Sequence, residues 1–304
     1  MRTVIYHSGA LGDFVTILPM VAGWRSRHPD ASIHMITRMR HGELAAAAGV
    51  IDSWWDIDSA EMAPLFLAHH HVGLNRKLQL FDSAFVFASS SSPVLFHMHQ
   101  ADIPSVYDQP PFPTDREHIV EYHLKLLPFE SGRMGSMTPL CHNRFSPEGD
   151  SLRKEIIIHP GSGSRRKNWP LTHFLQLADY CRGMKSEISW ILGPAEDEMT
   201  LPSQDRIVQT NSLVELAQNL CGARFFIGND SGVSQLSAFL GVRSVILFGA
   251  SDWEVWAPRA KHVRILRGRC HHAPCHPGAP AEECDGRCMS SISPQRVIDS
   301  IERY

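Results

Sequence analysis

The sequence predicts an α/β fold of two successive lobes, each a parallel sheet wrapped by helices. Three observations carry this. Short apolar runs alternate with stretches of helical period along most of the chain. Glycine-containing turns punctuate the passage from run to helix at residues 8–13, 160–170 and 228–232. The alternation dissolves between Pro128 and Lys154 into Gly, Ser, Pro and Met, and then restarts. That break reads as an interdomain connection and places the domains at 1–150 and 151–304.

In the first lobe, Thr3–His7 is a strand and Ser8-Gly9-Ala10-Leu11-Gly12-Asp13 a glycine turn. Phe14, Val15, Ile17, Leu18, Met20, Val21 and Trp24 follow at helical spacing, so a helix starts near Asp13. An acidic group suits that helix N-terminus. Ser32–Thr37 is a second strand, Glu43–Ala48 a short helix and Ile51–Ile57 a strand. A helix is expected over Ser59–His71, and Ser83–Phe87 is a further apolar run. Ser89-Ser90-Ser91-Ser92-Pro93 is a polar break before a proline-rich region, which ends in a helix over His118–Leu127.

The second lobe repeats this grammar. Glu155–His159 is a strand, Thr172–Arg182 a helix, Glu187–Leu192 a strand and Leu213–Cys221 a helix. Arg224–Ile227 is a strand, broken by Gly228-Asn229-Asp230-Ser231-Gly232 before a helix through Leu240. Arg243–Gly249 is the next strand, and Ser293–Arg303 is a last helix opened by Ser293-Pro294. Two βα-repeating halves imply two Rossmann-like lobes with a cleft between them, the usual place for a ligand.

The bulk numbers exclude several classes. The chain has 304 residues, enough for two full cores, with 43% hydrophobic and 20% charged residues. A net charge of −3 gives no global basic field, so nucleic acid is not expected as a partner. No apolar run is long enough to span a bilayer. The N-terminus enters a strand without a signal-peptide pattern, so a cytoplasmic protein is expected.

The strongest anion-binding candidate is the loop after His159. Gly161 and Gly163 let the backbone approach a phosphate, Ser162 and Ser164 can donate hydrogen bonds, and Lys167, Arg165 and Arg166 supply cations. It lacks the Gly-Lys-Ser/Thr ending of a P-loop. In the turn at 228–232, Asp230 and Ser231 precede a helix whose first N–H groups and dipole favour an anion. Two such loops in one lobe point to a diphosphate. Glu196, after the strand that lies between them in sequence, could accept hydrogen bonds from a ribose. The blander readings are a solvated loop, a capped βα turn and a helix-terminal charge.

At these residues the chain resembles the ADP-heptose:lipopolysaccharide heptosyltransferases, glycosyltransferase family 9. The segment His159-Pro160-Gly161-Ser162-Gly163…Lys167-Asn168-Trp169-Pro170 is similar to the family's donor loop. Gly228 to Gly232, with Leu247-Phe248-Gly249-Ala250-Ser251 and Trp256-Ala257-Pro258, is similar to its second signature, and Gly12-Asp13…Leu18-Pro19 to its opening motif. The stretch from about Ser59 to Asn143 matches little. The resemblance implies a GT-B fold: two Rossmann-like domains facing a central cleft, acceptor in the first and nucleotide sugar in the second. It implies an inverting transfer of a sugar, heptose in class, from an ADP-sugar to a lipopolysaccharide core or related glycan. It implies Asp13 as catalytic base, Lys167 and Ser162 at the donor phosphates with Gly163, and Asp230, Ser231 and Gly232 at the diphosphate and sugar. Glu196 matches the ribose acid. Gln235 stands where the family has histidine, so the position keeps a hydrogen bond but no positive charge, which puts donor affinity and activity in question. No catalytic cofactor is implied. A peripheral contact with the inner membrane fits such an acceptor.

Cys270, Cys275, Cys284 and Cys288 cluster with His271, His272 and His276, a composition suited to a structural Zn or Fe. The spacing is not the standard Cys-x2-Cys pair, so thiols and disulfides stay open. Cysteines near this place recur in the resembled family, in some members binding a metal. Three rivals remain: a catalytically impaired nucleotide-sugar-binding protein, a protein heptosyltransferase, and a sugar-nucleotide 2-epimerase.

Overall fold

The computed structural model describes residues 1–129, 142–145, 154–193, 196, 199–271, 273, 275 and 286–304. The chain divides into two compact units, Met1–Gly135 and Ser136–Tyr304. The boundary expected between residues 150 and 151 lies outside the described residues.

The first unit runs β1 (Arg2–Tyr6), α1 (Leu11–Arg27), β2 (Ser32–Thr37), α2 (Met39–Ala47), β3 (Ser53–Asp56), α3 (Val72–Leu78), β4 (Ser83–Phe87), α4 (Pro93–Gln100), β5 (Ser105–Gln109) and α5 (Ile119–Leu124). Its strands form a parallel sheet in the order β3-β2-β1-β4-β5. Strands β1 and β4 are central, and their near-continuous apolar character follows from burial on both faces.

The helix expected over Ser59–His71 does not form. A single 3-10 turn, Ala63–Phe66, stands there instead, with Pro64 in its first turn. Proline supplies no N–H and clashes with the preceding turn, so an α-helix cannot run through it undisturbed. The helix begins only after His71, whose Nδ1 accepts from the Leu74 N–H at 3.1 Å. The polar break at Ser89–Pro93 leads straight into α4. Ser92 is its N-cap, accepting from the Val94 N–H, and Pro93 opens the helix.

The second unit runs α6 (His142–Phe145), β6 (Glu155–His159), α7 (Leu171–Gly183), β7 (Glu187–Ile191), β8 (Arg206–Val208), α8 (Leu213–Gly222), β9 (Phe225–Asn229), α9 (Gly232–Phe239), β10 (Ser244–Phe248), α10 (Trp253–Trp256), β11 (Val263–Arg267), α11 (Arg287–Ser290) and α12 (Pro294–Glu302). Its parallel sheet has the order β11-β10-β9-β6-β7-β8. The core is built on Trp169, Phe174, Trp190, Ile227 and Leu247 and reaches Cys288, Val297 and Ile298 of the tail. Trp169 fixes that tail directly, its indole N–H donating to the Ile292 carbonyl at 2.8 Å. Among the described residues no helix is long and apolar enough to cross a membrane.

Candidate functional site

An open parallel sheet binds ligands outside the carboxyl ends of its strands, where the strand order reverses. In the second sheet the chain passes outward from β6 to β7 and β8, then returns to place β9 on the other side of β6. The reversal therefore lies between β6 and β9. The loops leaving those two strands are the two anion-binding candidates, 160–170 and 230–232.

Asn229, the last residue of β9 and fully buried, ties these loops together. Its Nδ2 donates to the Pro160 carbonyl at 2.7 Å, and its Oδ1 accepts from the Trp169 N–H at 2.9 Å. One amide thus satisfies a carbonyl at one end of the 160–170 loop and an N–H at the other. Asn229 is not among the site residues expected from the sequence. The available signal was an amide closing a strand of otherwise apolar residues.

Lys167 reaches the same place from the short 3-10 turn Arg165–Lys167. Its Nζ lies 2.8 Å from Oδ2 of Asp230, which is nearly buried. An ammonium has three protons, so a lysine held by one carboxylate still has two to offer an anion. Ser231 caps α9, accepting from the Ser234 N–H at 3.2 Å. Gly232 is the first helical residue, and the leading N–H groups of α9 point out of the carboxyl edge.

The remaining predicted residues take more specific positions. Ser162 uses its hydroxyl inside its own loop, beside the Ser164 carbonyl at 2.7 Å and Asn168 Oδ1 at 2.6 Å. A Cβ on Gly163 would meet nothing within 4 Å, so that glycine opens onto free space. Gly161 is different: a Cβ there would sit 2.3 Å from Cδ and Oε1 of Glu196. Glu196 is 5% exposed and accepts from the Gly193 N–H at 2.9 Å. Its carboxylate therefore lies against the anion loop, in space that only a glycine at 161 leaves. His159, at the end of β6, is kept uncharged by burial, partly offset by its bond to the Ile191 carbonyl and the charge of Glu196. Gln235 is 6% exposed, and its Nε2 donates to the Trp256 carbonyl at 2.7 Å. That amide closes the end of α10.

In the first unit the reversal lies between β1 and β4. The loop leaving β1 carries Asp13 into the first turn of α1. Asp13 is half-buried, and its Oδ2 accepts from the Ala10 N–H at 3.3 Å. Three buried histidines of the same unit are pushed below the ordinary histidine value. Burial pushes His7 down to about 3, with help from His41, His123 and Arg38. Burial pushes His123 down to about 3 and His41 to about 4.

Of the four clustered cysteines, Cys284 lies outside the described residues. Cys270 and Cys275 are half-buried and Cys288 is buried. Cys275 and Cys288 lie by the end of β10: the Cys275 N–H donates to the Ala250 carbonyl, and a Cβ on Gly249 would sit 2.9 Å from the Cys288 sulfur. Among the described residues no group of three or more His, Cys, Asp or Glu is placed to hold an ion.

Residues 136–284 match the family model described as glycosyltransferase family 9 (heptosyltransferase). Over that stretch the chain is similar to glycosyltransferase family 9. A relative in Campylobacter jejuni, lipooligosaccharide heptosyltransferase 2, is 22% identical over 259 residues, spanning 75% of this chain and 76% of that protein. The E. coli heptosyltransferase WaaC, solved with ADP, superposes with a TM-score of 0.74 at 15% identity, covering 100% of this chain and 99% of that one. E. coli ADP-heptose lps heptosyltransferase II gives 0.73 at 18% identity, over 100% and 98%. The iron-containing dodecameric glycosyltransferase TibC of enterotoxigenic E. coli gives 0.64 at 14%, over 99% of this chain and 77% of that one. These structural likenesses establish the fold: two parallel-sheet α/β units, as in the GT-B heptosyltransferases. The family model and the relatives it matches are described as heptosyltransferases.

Proposed function

We propose that this glycosyltransferase moves heptose from ADP-heptose to a hydroxyl of a lipopolysaccharide or lipooligosaccharide core, with inversion. The observation that carries the reading is the joining of two anion-friendly loops at the reversal of the second sheet, by Asn229 and by the Lys167–Asp230 pair. The names of the relatives supply the sugar: a lipooligosaccharide heptosyltransferase, and WaaC solved with ADP and with ADP-2-deoxy-2-fluoro heptose.

In the mechanism, the acceptor oxygen attacks the anomeric carbon while its proton passes to the Asp13 carboxylate. The bond from the anomeric carbon to the diphosphate breaks, and ADP leaves with the electron pair. Lys167 and the leading N–H groups of α9 hold that developing charge, so no catalytic metal is required. Asp230 keeps the ammonium of Lys167 aimed, and Ser231 and Gly232 present the helix end. Glu196 accepts from the ribose hydroxyls beside Gly161. Gln235 acts at one remove, by fixing the Trp256 carbonyl.

Cys270, Cys275, Cys284 and Cys288 would hold a structural Zn or Fe. Cys275 and Cys288 lie by the loop after β10, and thiolates are suitable donors for either metal. About one metal per purified chain, with a melting temperature lowered by a chelator, is expected. Protein lacking metal at full activity and stability would remove the site.

The test of the donor is a thermal-shift comparison of ADP-, UDP- and GDP-sugars. ADP-heptose should stabilise the protein most. Equal shifts from all three, or none, would contradict the reading.

A further inference from the structure

The 3-10 turn Ala63–Phe66 and the helices α3 and α4 bury one side and leave the other apolar as well. Leu65, Leu74, Leu78, Val94, Leu95 and Met98 pack into the core of the first unit. Phe66 is 45% exposed, Leu67 48%, Val72 55% and Phe96 38%. Every residue of 66–73 is exposed. Contiguous apolar surface of this kind marks a place of contact.

A buried histidine gathers these residues. His97 of α4 is fully buried, and its Nε2 donates to the Leu67 carbonyl at 2.8 Å. Its ring stands 5.3 Å from that of Phe96. Asn75 of α3 donates to the Gln100 carbonyl at the end of α4, at 3.4 Å. Leu67, Phe96 and the start of α3 therefore share one corner of the unit. The chain reaches that corner from the carboxyl end of β3, and α4 opens a few residues beyond the carboxyl end of β4. In a parallel sheet this is the edge at which the Asp13 loop leaves β1.

The corner is poor in negative charge. Asp82 is the only acid in residues 62–101. Arg76, His69, His70, His71 and His99 are exposed there, and Lys77 is held by Glu61. A second copy of the chain fits poorly, because a stable interface takes about 20–30 residues from each partner. A lipid surface asks for less: a few apolar side chains that enter the headgroup layer, and neighbours that do not repel anionic lipid.

We infer that the corner formed by residues 66–72 and Phe96 docks the protein on an anionic lipid bilayer. The inference rests on the proposed lipopolysaccharide acceptor, whose lipid part stays in a bilayer. No helix among the described residues can cross that bilayer, so these residues meet the acceptor from its surface. Docking by this edge sets the Asp13 loop beside the layer from which the acceptor sugars project.

The experiment sediments the whole protein with vesicles of phosphatidylcholine alone and of phosphatidylcholine mixed with phosphatidylglycerol. The parent should bind the mixed vesicles, and the neutral ones less. Phe66→Ser combined with Phe96→Ser should weaken binding to the mixed vesicles roughly 10- to 100-fold, the scale of withdrawing two partly buried aromatic side chains. Val72→Glu should weaken it too, and an acid in the first turn of α3 suits the helix, so folding is kept. Transfer to heptose-deficient core oligosaccharide in solution should stay within twofold in both variants, while transfer to heptose-deficient lipopolysaccharide in vesicles falls. Variants that bind the mixed vesicles like the parent overturn the inference. So does a parent dimer that both variants abolish, which would give the corner to a second copy. If the parent transfers to core oligosaccharide but binds no vesicle, only the present inference fails. If it binds vesicles as expected but transfers to no lipopolysaccharide acceptor, the proposed acceptor fails and the docking surface stands.

Discussion

Replacing Asn229 with alanine tests how the donor site is held together. The amide makes two buried bonds, donating to the Pro160 carbonyl at 2.7 Å and accepting from the Trp169 N–H at 2.9 Å. Alanine leaves both partners unsatisfied in a fully buried position. Each buried orphan costs about 1–3 kcal/mol, so the loss is about 2–6 kcal/mol. Asn229→Asp keeps the acceptor for Trp169 but turns an oxygen toward the Pro160 carbonyl, so it also destabilises. The assay is denaturant unfolding followed by tryptophan fluorescence, since Trp169 and Trp190 both lie in the core of this unit. ADP titration of the folded variant accompanies it. Lower stability and weaker ADP binding together are the expected result. An Asn229→Ala protein that unfolds within about 0.5 kcal/mol of the parent, the scale of an ordinary surface substitution, and binds ADP as well would refute the reasoning.

Three further outcomes follow from the geometry. Lys167→Ala should weaken ADP binding by about 1.5–3 kcal/mol in calorimetry, the scale of a charged hydrogen bond; unchanged affinity would remove Lys167 from the site. Gly161→Ala must displace the Glu196 carboxylate, from which its Cβ would stand 2.3 Å, and overpacking of this kind costs about 1–3 kcal/mol; a variant of parental stability would show that Glu196 moves freely. His7 and His123 titrate near 3 when folded, below the ordinary histidine value of 6.5. The unfolded chain therefore binds more protons below pH 6.5, so stability is complete above that pH and declines as pH falls toward 3. At pH 5.5 each histidine removes about 1.4 kcal/mol, one pH unit below its unfolded pKa. Denaturant unfolding at pH 7.5 and 5.5 should show the loss, and a flat profile would contradict the neutral cluster.

All the strands inside the sheets were legible in the sequence, and one edge strand with them, β3, expected over Ile51–Ile57. Strands β1, β4, β6, β9 and β10 are covered on both faces, so their residues form unbroken apolar runs. The three strands that escaped, β5, β8 and β11, are all edge strands. Their residues are mostly exposed or half-buried, as in Arg206–Val208, and carry no apolar run to read. The helix α4 was missed although Ser92-Pro93 is the same opening signal that was read correctly at Ser293-Pro294. The run Ser89–Ser92 before it carries the polar pattern of a break, which masks the cap.

The candidate site divides in a similar way. Asp13, Lys167 and Asp230 stand out because charge at a strand-to-helix turn is visible locally. Asn229 and the packing of Glu196 on Gly161 depend on which strands are neighbours. Only the pairing of β6 with β9 on one side and β7 on the other brings those loops together.

The central claim is that this glycosyltransferase uses Asp13 as the base for heptose transfer from ADP-heptose. Asp13→Asn keeps the shape of the side chain and an oxygen for the Ala10 N–H, and removes the basicity. The rate of transfer to heptose-deficient core oligosaccharide should fall roughly 10²–10⁴-fold, the scale of losing a general base, while calorimetric ADP affinity stays nearly unchanged. Near-full transfer by Asp13→Asn would contradict the account at its centre.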